Sequence, residues 1–560
     1  MRSKFRFLVL AAVLAASGCA TYSEGNRVAL ERMSAGDNKG AIAAVEKSLK
    51  PEGDDRLLYH MELGLLTGLD GDFQASNRHL DQAERIAENL FTTSVSGAAL
   101  AALTNPRNAA YGGADFERVF IHYYKAVNYT MLAAADPAKK VDNLENARVE
   151  ARKVDSLLGA IANAKGNYKD LEDNKAKTFT KLKDIFSKVF QGNVVDKDWV
   201  VYREDAFVRY LAGVAFEQNR EWDDARISYQ KAAELLEKGY AKQYHLGGGF
   251  TEQAWFDTLR MMRAAGYSSG EVNDMAAKKL TAAKRGELAS FGRNPAQIVV
   301  INEVGMVPRR NEMSLHLTKN DRTHQWILRP VITGTREEEI AKWNWFYAMY
   351  ADKGLLGFLG KVQDFSQGRF AAFNEKTVGL GPLWRTAESL KLIRAIGDLG
   401  IRVTIPYYDA RDVKAGYGAS EVSVDGGAAL PMVNAESVAQ LALQELLLTA
   451  GDELNNAMGR ELLKNLLTEQ TAQTIGGSNA GLLSLVGKIG TAATSAAETR
   501  GWITLPHMIR IRRIAVAPGE HRVRVSTGGI GTAVERPVSV KAGEIAVLHE
   551  RQMAPLAVKK

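Results

Sequence analysis

From Asn26 to about Gly292, apolar residues recur at helical spacing, and turn signals break the pattern at intervals. Gly36-Asp37-Asn38 and Gly71-Asp72-Phe73 stand 35 residues apart, each between two apolar helical stretches. A third hairpin is expected from Phe116 to Leu158, turning at Asp136-Pro137, and a charged helical hairpin from Ala164 to Lys188. Near Pro295 the period changes. Ala296 to Asn302 reads as a buried strand, and Glu312 to Leu317 alternates. Ile401 to Ile405 alternates and is expected to stop at Pro406, which has no N–H to give a ladder. Glu421 to Val424 runs into the turn Asp425-Gly426-Gly427. Met508–Val516 and His521–Val525 read as a hairpin across Pro518-Gly519, and Val538–Lys541 with Glu544–Leu548 as another pair around Ala542-Gly543. Ile and Val alternating with Arg predicts one buried and one wet face. Ala435 to Leu467 is helical, with Val438, Leu441, Leu443 and Leu446 as its apolar stripe.

These elements predict an α+β multidomain fold. A helical solenoid comes first, then an antiparallel, sandwich-like β domain. The expected divisions are 1–18, 19–292 and 293–560, with helical insertions at about 321–399 and 435–500. The first insertion is rich in aromatics, among them Trp326, Trp343, Trp345, Phe346, Tyr350, Phe358, Phe365, Phe370, Phe373 and Trp384. Large aromatics are usually buried, so it reads as a helical subdomain with its own core. The other reading is a surface for a partner or the membrane interface.

The first residues are an address. Arg2, Lys4 and Arg6 precede the apolar run Phe7 to Ala16, which is too short to span a bilayer. Ala15-Ala16-Ser17-Gly18-Cys19 follows, and Cys19 is the only cysteine in 560 residues. A lone thiol excludes an internal disulfide and cysteine-rich metal sites. Without the three leader cations the chain carries 69 basic against 65 acidic residues. That balance is no footprint for nucleic acid. The segment resembles the lipobox of bacterial lipoproteins, with Ala16 where Leu is preferred. The resemblance implies cleavage before Cys19, acylation of its thiol and retention by several acyl chains, each buried CH₂ contributing ~0.8 kcal/mol. Ala20 in place of Asp implies the outer membrane, with the body facing the periplasm.

Tyr210 to Ala232 resembles a tetratricopeptide repeat. Ala212, Gly213 and Phe216 match its first helix, Trp222 its turn aromatic, and Ala225, Tyr229 and Ala232 its second helix, while Arg220 replaces the usual turn glycine. Leu63, Gly64, Phe73, Leu80 and Ala83 form a second copy. Ala225, Tyr229 and Ala232 lie on one helix face, so small residues admit a neighbouring helix and the aromatic fills the groove. Stacked repeats imply a concave face that binds a peptide or partner helix. The whole resembles a group of bacterial lipoproteins that join such repeats to a C-terminal β domain. Ile298 to Pro308 and Arg500 to His507 carry that resemblance, and it lends no activity.

No catalytic motif is complete. Nine histidines are scattered without an HExxH pattern, and His79, His122 and His549 read as isolated. Gly476 to Ala480 lacks the second glycine of a nucleophile elbow. Gly354 to Lys361 and Gly481 to Lys488 have the wrong spacing for a phosphate loop, and Gly529-Ile-Gly531 lacks a third glycine. Asp223-Asp224 reads as a solvated pair. The expectation is therefore a lipid-anchored scaffold or accessory protein for envelope assembly or export, with no cofactor, no metal and no catalytic residue. Its partners would be the membrane, through Cys19, and envelope proteins or peptides. The alternative is an envelope polysaccharide- or peptidoglycan-modifying enzyme.

Overall fold

The computed structural model describes residues 21–101, 106–166, 204–292, 295–350, 375–471 and 496–556. Cys19, the leader, most of the stretch Ala164–Lys188, the aromatics Phe358 to Phe373 and the glycine-rich segments Gly354–Lys361 and Gly476–Lys488 lie outside them.

Helices dominate up to Ser290. They run as α1 (Arg27–Ser34), α2 (Asn38–Ser48), α3 (Arg56–Leu69), α4 (Phe73–Ala101), α5 (Asp115–Ala135), α6 (Lys140–Gly166), α7 (Ala206–Gln218), α8 (Trp222–Leu235), α9 (Gly249–Ala264), α10 (Ser269–Lys279) and α11 (Ala282–Ser290). Consecutive members pack as hairpins. The turns follow backbone chemistry. Gly36 and Gly71 are left-handed, at φ 80° and 90°. Arg220 holds the same turn position in the α7–α8 hairpin at φ 61°, where a side chain costs energy that glycine does not.

Two hairpins repeat one packing rule. A methyl group on Gly64 would stand 2.6 Å from Leu80 Cδ2, and one on Gly213 would stand 2.6 Å from the Tyr229 ring. In each pair the large residue follows the glycine by sixteen positions, and the left-handed turn residue follows it by seven. The missing Cβ lets the paired helix approach, and the large side chain fills the space.

Among the described residues the strands form three four-stranded sheets. The first has the order β12 (Ile545–Gln552), β1 (Ala296–Val304), β9 (Met508–Val516), β8 (Val433–Glu436). The second is β11 (Ile530–Val540), β10 (Gly519–Thr527), β6 (Ser420–Val424), β7 (Leu430–Pro431). The third is β4 (Lys376–Gly379), β3 (Gln325–Val331), β2 (Arg310–Asn320), β5 (Ile401–Tyr408). The first two face each other across Ile298, Val300, Val422, Val523 and Val525. Every residue of β1 is buried. Its even positions Ala296, Ile298 and Val300 enter this sandwich, while Val299 and Ile301 join the core shared with the helices. That core runs without a break from Ala29 to Ile511, across the change of texture at Pro295.

Several sequence expectations are corrected. β9 and β10 are not a hairpin: β9 pairs with β1 and β8, and β10 with β11 and β6, so Pro518-Gly519 passes the chain between facing sheets. β11 and β12 are likewise split between sheets, and β12 runs parallel to β1. Local turn chemistry fixed the bend, while side-chain burial chose the partners. β5 continues through Pro406, which lies opposite Glu312. The 321–399 stretch is no helical subdomain. It supplies β3 and β4 to the third sheet, together with α12 (Arg336–Met349), α13 (Leu383–Ser389) and α14 (Leu392–Ile396). Trp326 of β3, Trp345 and Phe346 of α12 and Trp384 of α13 join the common core. Within the 435–500 stretch the described helix is α15 (Val438–Thr471), which packs on β5, while Ala435 and Glu436 belong to β8.

The arginines of β9 are the sharpest correction. Arg510 and Arg513 are buried, not wet. Helices cover one face of β9 and the second sheet covers the other. Arg513 meets Glu217 of α7 at 3.1 Å and Asp257 of α9 at 3.2 Å. It also donates to Gln297 of β1 and to the Tyr229 hydroxyl, each at 2.7 Å. Arg260 joins the same two carboxylates at 2.6 and 2.9 Å. Two cations thus balance two anions in a dry interior. Burial alone would raise Asp257, but Arg513 and Arg260 hold it below the usual carboxylate range.

Other acids clasp the irregular segment that leads into β9. Glu62 accepts from the Ile503 N–H at 3.0 Å and the Thr504 hydroxyl at 2.5 Å. Glu117 accepts from the Trp502 N–H at 2.7 Å and the Tyr111 hydroxyl at 2.7 Å. Burial without a facing cation pushes Glu62 up to about 7. At another joint the buried carboxyl of Asp205, the N-cap of α7, lies near that of Glu436 at the end of β8, and Tyr240 donates to Glu436. Burial raises both carboxyls, Asp205 to about 7.

Three outcomes are expected. Arg513→Ala leaves two buried carboxylates underpaired and should cost about 3–5 kcal/mol in urea unfolding, whereas Arg522→Ala at the exposed surface should stay within about 0.5 kcal/mol. Arg220→Gly should stabilise by about 1 kcal/mol, because the left-handed turn no longer strains a side chain. Carboxyls whose native pKa is raised bind more protons folded than unfolded. Their stabilisation is full below the unfolded value near 4 and is lost as pH rises through about 7. The urea midpoint should therefore fall between pH 5.5 and 8.5. Asp205→Asn keeps the cap and should make that fall smaller.

Candidate functional site

The tetratricopeptide-like positions are brought together inside the hairpins. Leu63, Gly64, Leu80 and Ala83 are buried where α3 meets α4, with Phe73 half-buried at the start of α4. Ala212, Gly213, Phe216, Ala225, Tyr229 and Ala232 are buried where α7 meets α8, and Trp222 is half-buried at the turn. These residues build the scaffold and do not line its open surface. Tyr229 does more than pack. Its hydroxyl donates to Glu217 at 2.7 Å and accepts from Arg513, so it ties the hairpin to β9. Asp223 and Asp224 are exposed in the first turn of α8, where acids suit the helix dipole.

An open groove of about 480 Å³ crosses α4, α5 and α6. Ala87, Ile121, Val149, Leu157 and Ala160 give it an apolar floor and sides. Glu84, Glu88, Arg118, Arg152 and Lys153 give it charges of both signs. Helical spacing explains the lining. Val149, Arg152, Lys153, Ser156, Leu157 and Ala160 fall at steps of three and four along α6, one face of the helix.

A polar cluster lies at one side of the groove. His122 Nδ1 is 2.6 Å from Glu150 Oε2. Glu84, His122 and Glu150 present their ligand atoms within 4.8 Å of one another, a spacing that fits a metal ion. A fixed cation already serves them. The Lys125 ammonium is 2.5 Å from Glu84, 2.8 Å from Glu150 and 2.8 Å from Asp81. Lys153 approaches Glu84 at 2.8 Å. Burial would raise Glu150, but the hydrogen bond from His122 and the charge of Lys125 hold it down to about 2. The chemistry of this cluster is therefore charge balance among protein groups, and it shapes one wall of the groove.

The other histidines are also partnered, which corrects their reading as isolated residues. His79 Nδ1 lies 3.2 Å from His60 Nδ1. His549 Nε2 lies 3.1 Å from Glu303, which also holds Arg551 at 2.9 Å and accepts from Tyr123 at 2.9 Å. Burial would raise Glu303, and His549 and Arg551 bring it down to about 2. Sequence spacing hid these pairs, because their members are remote until the hairpins and sheets close. His60 and His79 were the most legible, since both lie on one hairpin turned by Gly71.

No family model matches the chain, and no curated protein matches it significantly. Among solved structures it is similar to nearly identical TPR-like repeats assigned to a kinesin light chain of Podosopora anserina. That similarity has 12% identity and a TM-score of 0.25, over 48% of this chain and 96% of the other. A singly substituted form of the same repeats aligns with 12% identity and a TM-score of 0.25, over 47% of this chain and 94% of the other. A likeness of that size assigns neither ancestry nor activity.

Removing Lys125 should be costly for a stated reason. Lys125→Met leaves Glu150 and Glu84 short of their main cation and should cost about 3–5 kcal/mol at pH 7. Glu150 is depressed in the native protein, so its stabilisation is present above the unfolded value near 4.3 and lost as pH falls through about 2. The loss in Lys125→Met should therefore hold from pH 7 to about pH 4.5 and shrink as pH falls from there toward 2 in urea unfolding.

Proposed function

We propose that the protein is a lipid-anchored envelope scaffold that binds protein segments in the groove across α4, α5 and α6. The carrying observation is the groove itself, open along three helices, with an apolar floor and charges of both signs. Such a lining suits a peptide or helix that buries a few apolar side chains and orients itself by ion pairs at the rim. The apolar residues supply area, and the charges select register and direction.

The start of the described chain supports an anchored arrangement. Thr21 is buried and forms a reciprocal capping box with Glu24. The Tyr22 N–H donates to Thr499 at 3.2 Å, and its hydroxyl donates to Glu62 at 3.3 Å. Only Ala20 separates this pinned segment from Cys19. Two residues span at most about 7 Å, so acyl chains on Cys19 would hold the body directly against the bilayer without a slack tether. No helix among the described residues is long and apolar enough to cross a membrane, so attachment would rest on the lipid.

Two measurements test this reading. An alkyne fatty acid should label the wild type and not Cys19→Ala, and equal labelling of both overturns the anchor. A photo-crosslinker placed at Val149 or Ser156 should capture a repeatable envelope protein in cells, and the same probe at exposed Arg522 should not. Capture of no repeatable partner, or equal capture at the control position, overturns the groove as the binding surface.

A further inference from the structure

His60 lies on α3 and His79 on α4, and their rings meet across the hairpin. The two Nδ1 atoms are 3.2 Å apart, with ring centroids at 5.5 Å and a tilt of 41°. Both residues are half-buried, so solvent reaches the pair. Tyr59 packs edge-on against both rings and limits their rotation. A metal–imidazole bond is about 2.0–2.1 Å, which sets the nitrogen separation at about 2.9 Å for a right-angle bite and about 3.3 Å for a tetrahedral one. The observed separation lies between these limits.

We propose that His60 and His79 form a two-imidazole binding site for a borderline divalent transition metal of the Cu²⁺, Zn²⁺ and Ni²⁺ class. Imidazole nitrogen is the ligand this class prefers over the hard cations Mg²⁺ and Ca²⁺. Burial and mutual repulsion, with Arg85 nearby, bring His60 down to about 4, and burial and Arg78 lower His79. An imidazole with its ordinary value near 6.5 is already mostly neutral at pH 7, so each ring has a lone pair to offer. In the metal-free pair one Nδ1 donates its proton to the other. For both to ligate, that proton moves to Nε2 of its own ring, so binding shifts a tautomer and releases no proton to solvent. Arg78 and Arg85 oppose a dication and Glu46 favours it, which sets a moderate affinity. Two protein ligands leave the remaining coordination positions to water. An ion held here would clamp α3 to α4 two to three helical turns from Gly71.

The test uses the full chain without an affinity tag, stripped with chelator and titrated with Cu²⁺ and separately with Zn²⁺. One Cu²⁺ per chain should bind, with an electron paramagnetic resonance spectrum split by two imidazole nitrogens. His60→Gln and His79→Gln should each weaken binding at least tenfold and leave at most one coupled nitrogen. The exposed His245→Gln should bind as the wild type does. Zn²⁺ should raise the melting temperature of the wild type and not that of the double variant. The site is overturned if the double variant binds with unchanged affinity and spectrum, or if the wild type binds neither ion at 100-fold molar excess. Far-ultraviolet circular dichroism confirms that each variant is folded before titration.

Discussion

Burying Arg513 constrains the rest of the molecule. A guanidinium removed from water is costly unless anions and hydrogen-bond acceptors surround it. Here the acceptors come from different elements: Glu217 on α7, Tyr229 on α8, Asp257 on α9 and Gln297 on β1. The helices cannot separate from the first sheet without stranding charge on both sides. This explains why one core runs through helices and strands where the sequence suggests a boundary. The Glu303 cluster repeats the logic six residues further along β1 than Gln297, with Tyr123 of α5 and Arg551 of β12.

The helical hairpins were legible because their rules are local. Glycine marks the turns, and a small residue facing a large one recurs at fixed spacing in Gly64–Leu80 and Gly213–Tyr229. The strands were legible as strands, since period-two alternation survives in β2, β9 and β10. Their partners were not. Pro518-Gly519 fixes a bend, but nothing in the turn says that β9 will turn toward β1 and β10 toward β6. The Arg/Ile alternation of β9 also misled. Alternation reports two different faces, and wetness was inferred from charge, whereas Glu217 and Asp257, far away in sequence, meet Arg513 on the helix-covered face it shares with Ile509 and Ile511, and Ser420 of the second sheet meets Arg510 on the other. The groove was less legible still. Its lining comes from three helices, and the repeat-signature residues sit inside the hairpins instead of on its walls.

The segment Arg500 to His507 shows how an irregular stretch becomes structural. Trp502, Ile503 and Thr504 give their donors to Glu117 and Glu62. Arg500 donates to the carbonyls of Ala109 and Pro106, and its guanidinium meets Asp55 at 2.9 Å. A buried loop must satisfy its backbone, and here helix side chains do so where a neighbouring strand would in a sheet.

The position of β1 has a kinetic consequence. Its two neighbours, β9 and β12, begin roughly 200 residues later in the chain. A polypeptide emerging from a ribosome or a translocation channel presents this nine-residue, mostly apolar segment long before either edge can be paired. The helical hairpins, built from near neighbours, can form while the wait continues. Completion of the sheet then depends on the last strand arriving alongside the first. A chain halted before Gln552 would carry an open, adhesive edge, so the protein's vulnerability to aggregation is concentrated in the interval between making β1 and delivering β12.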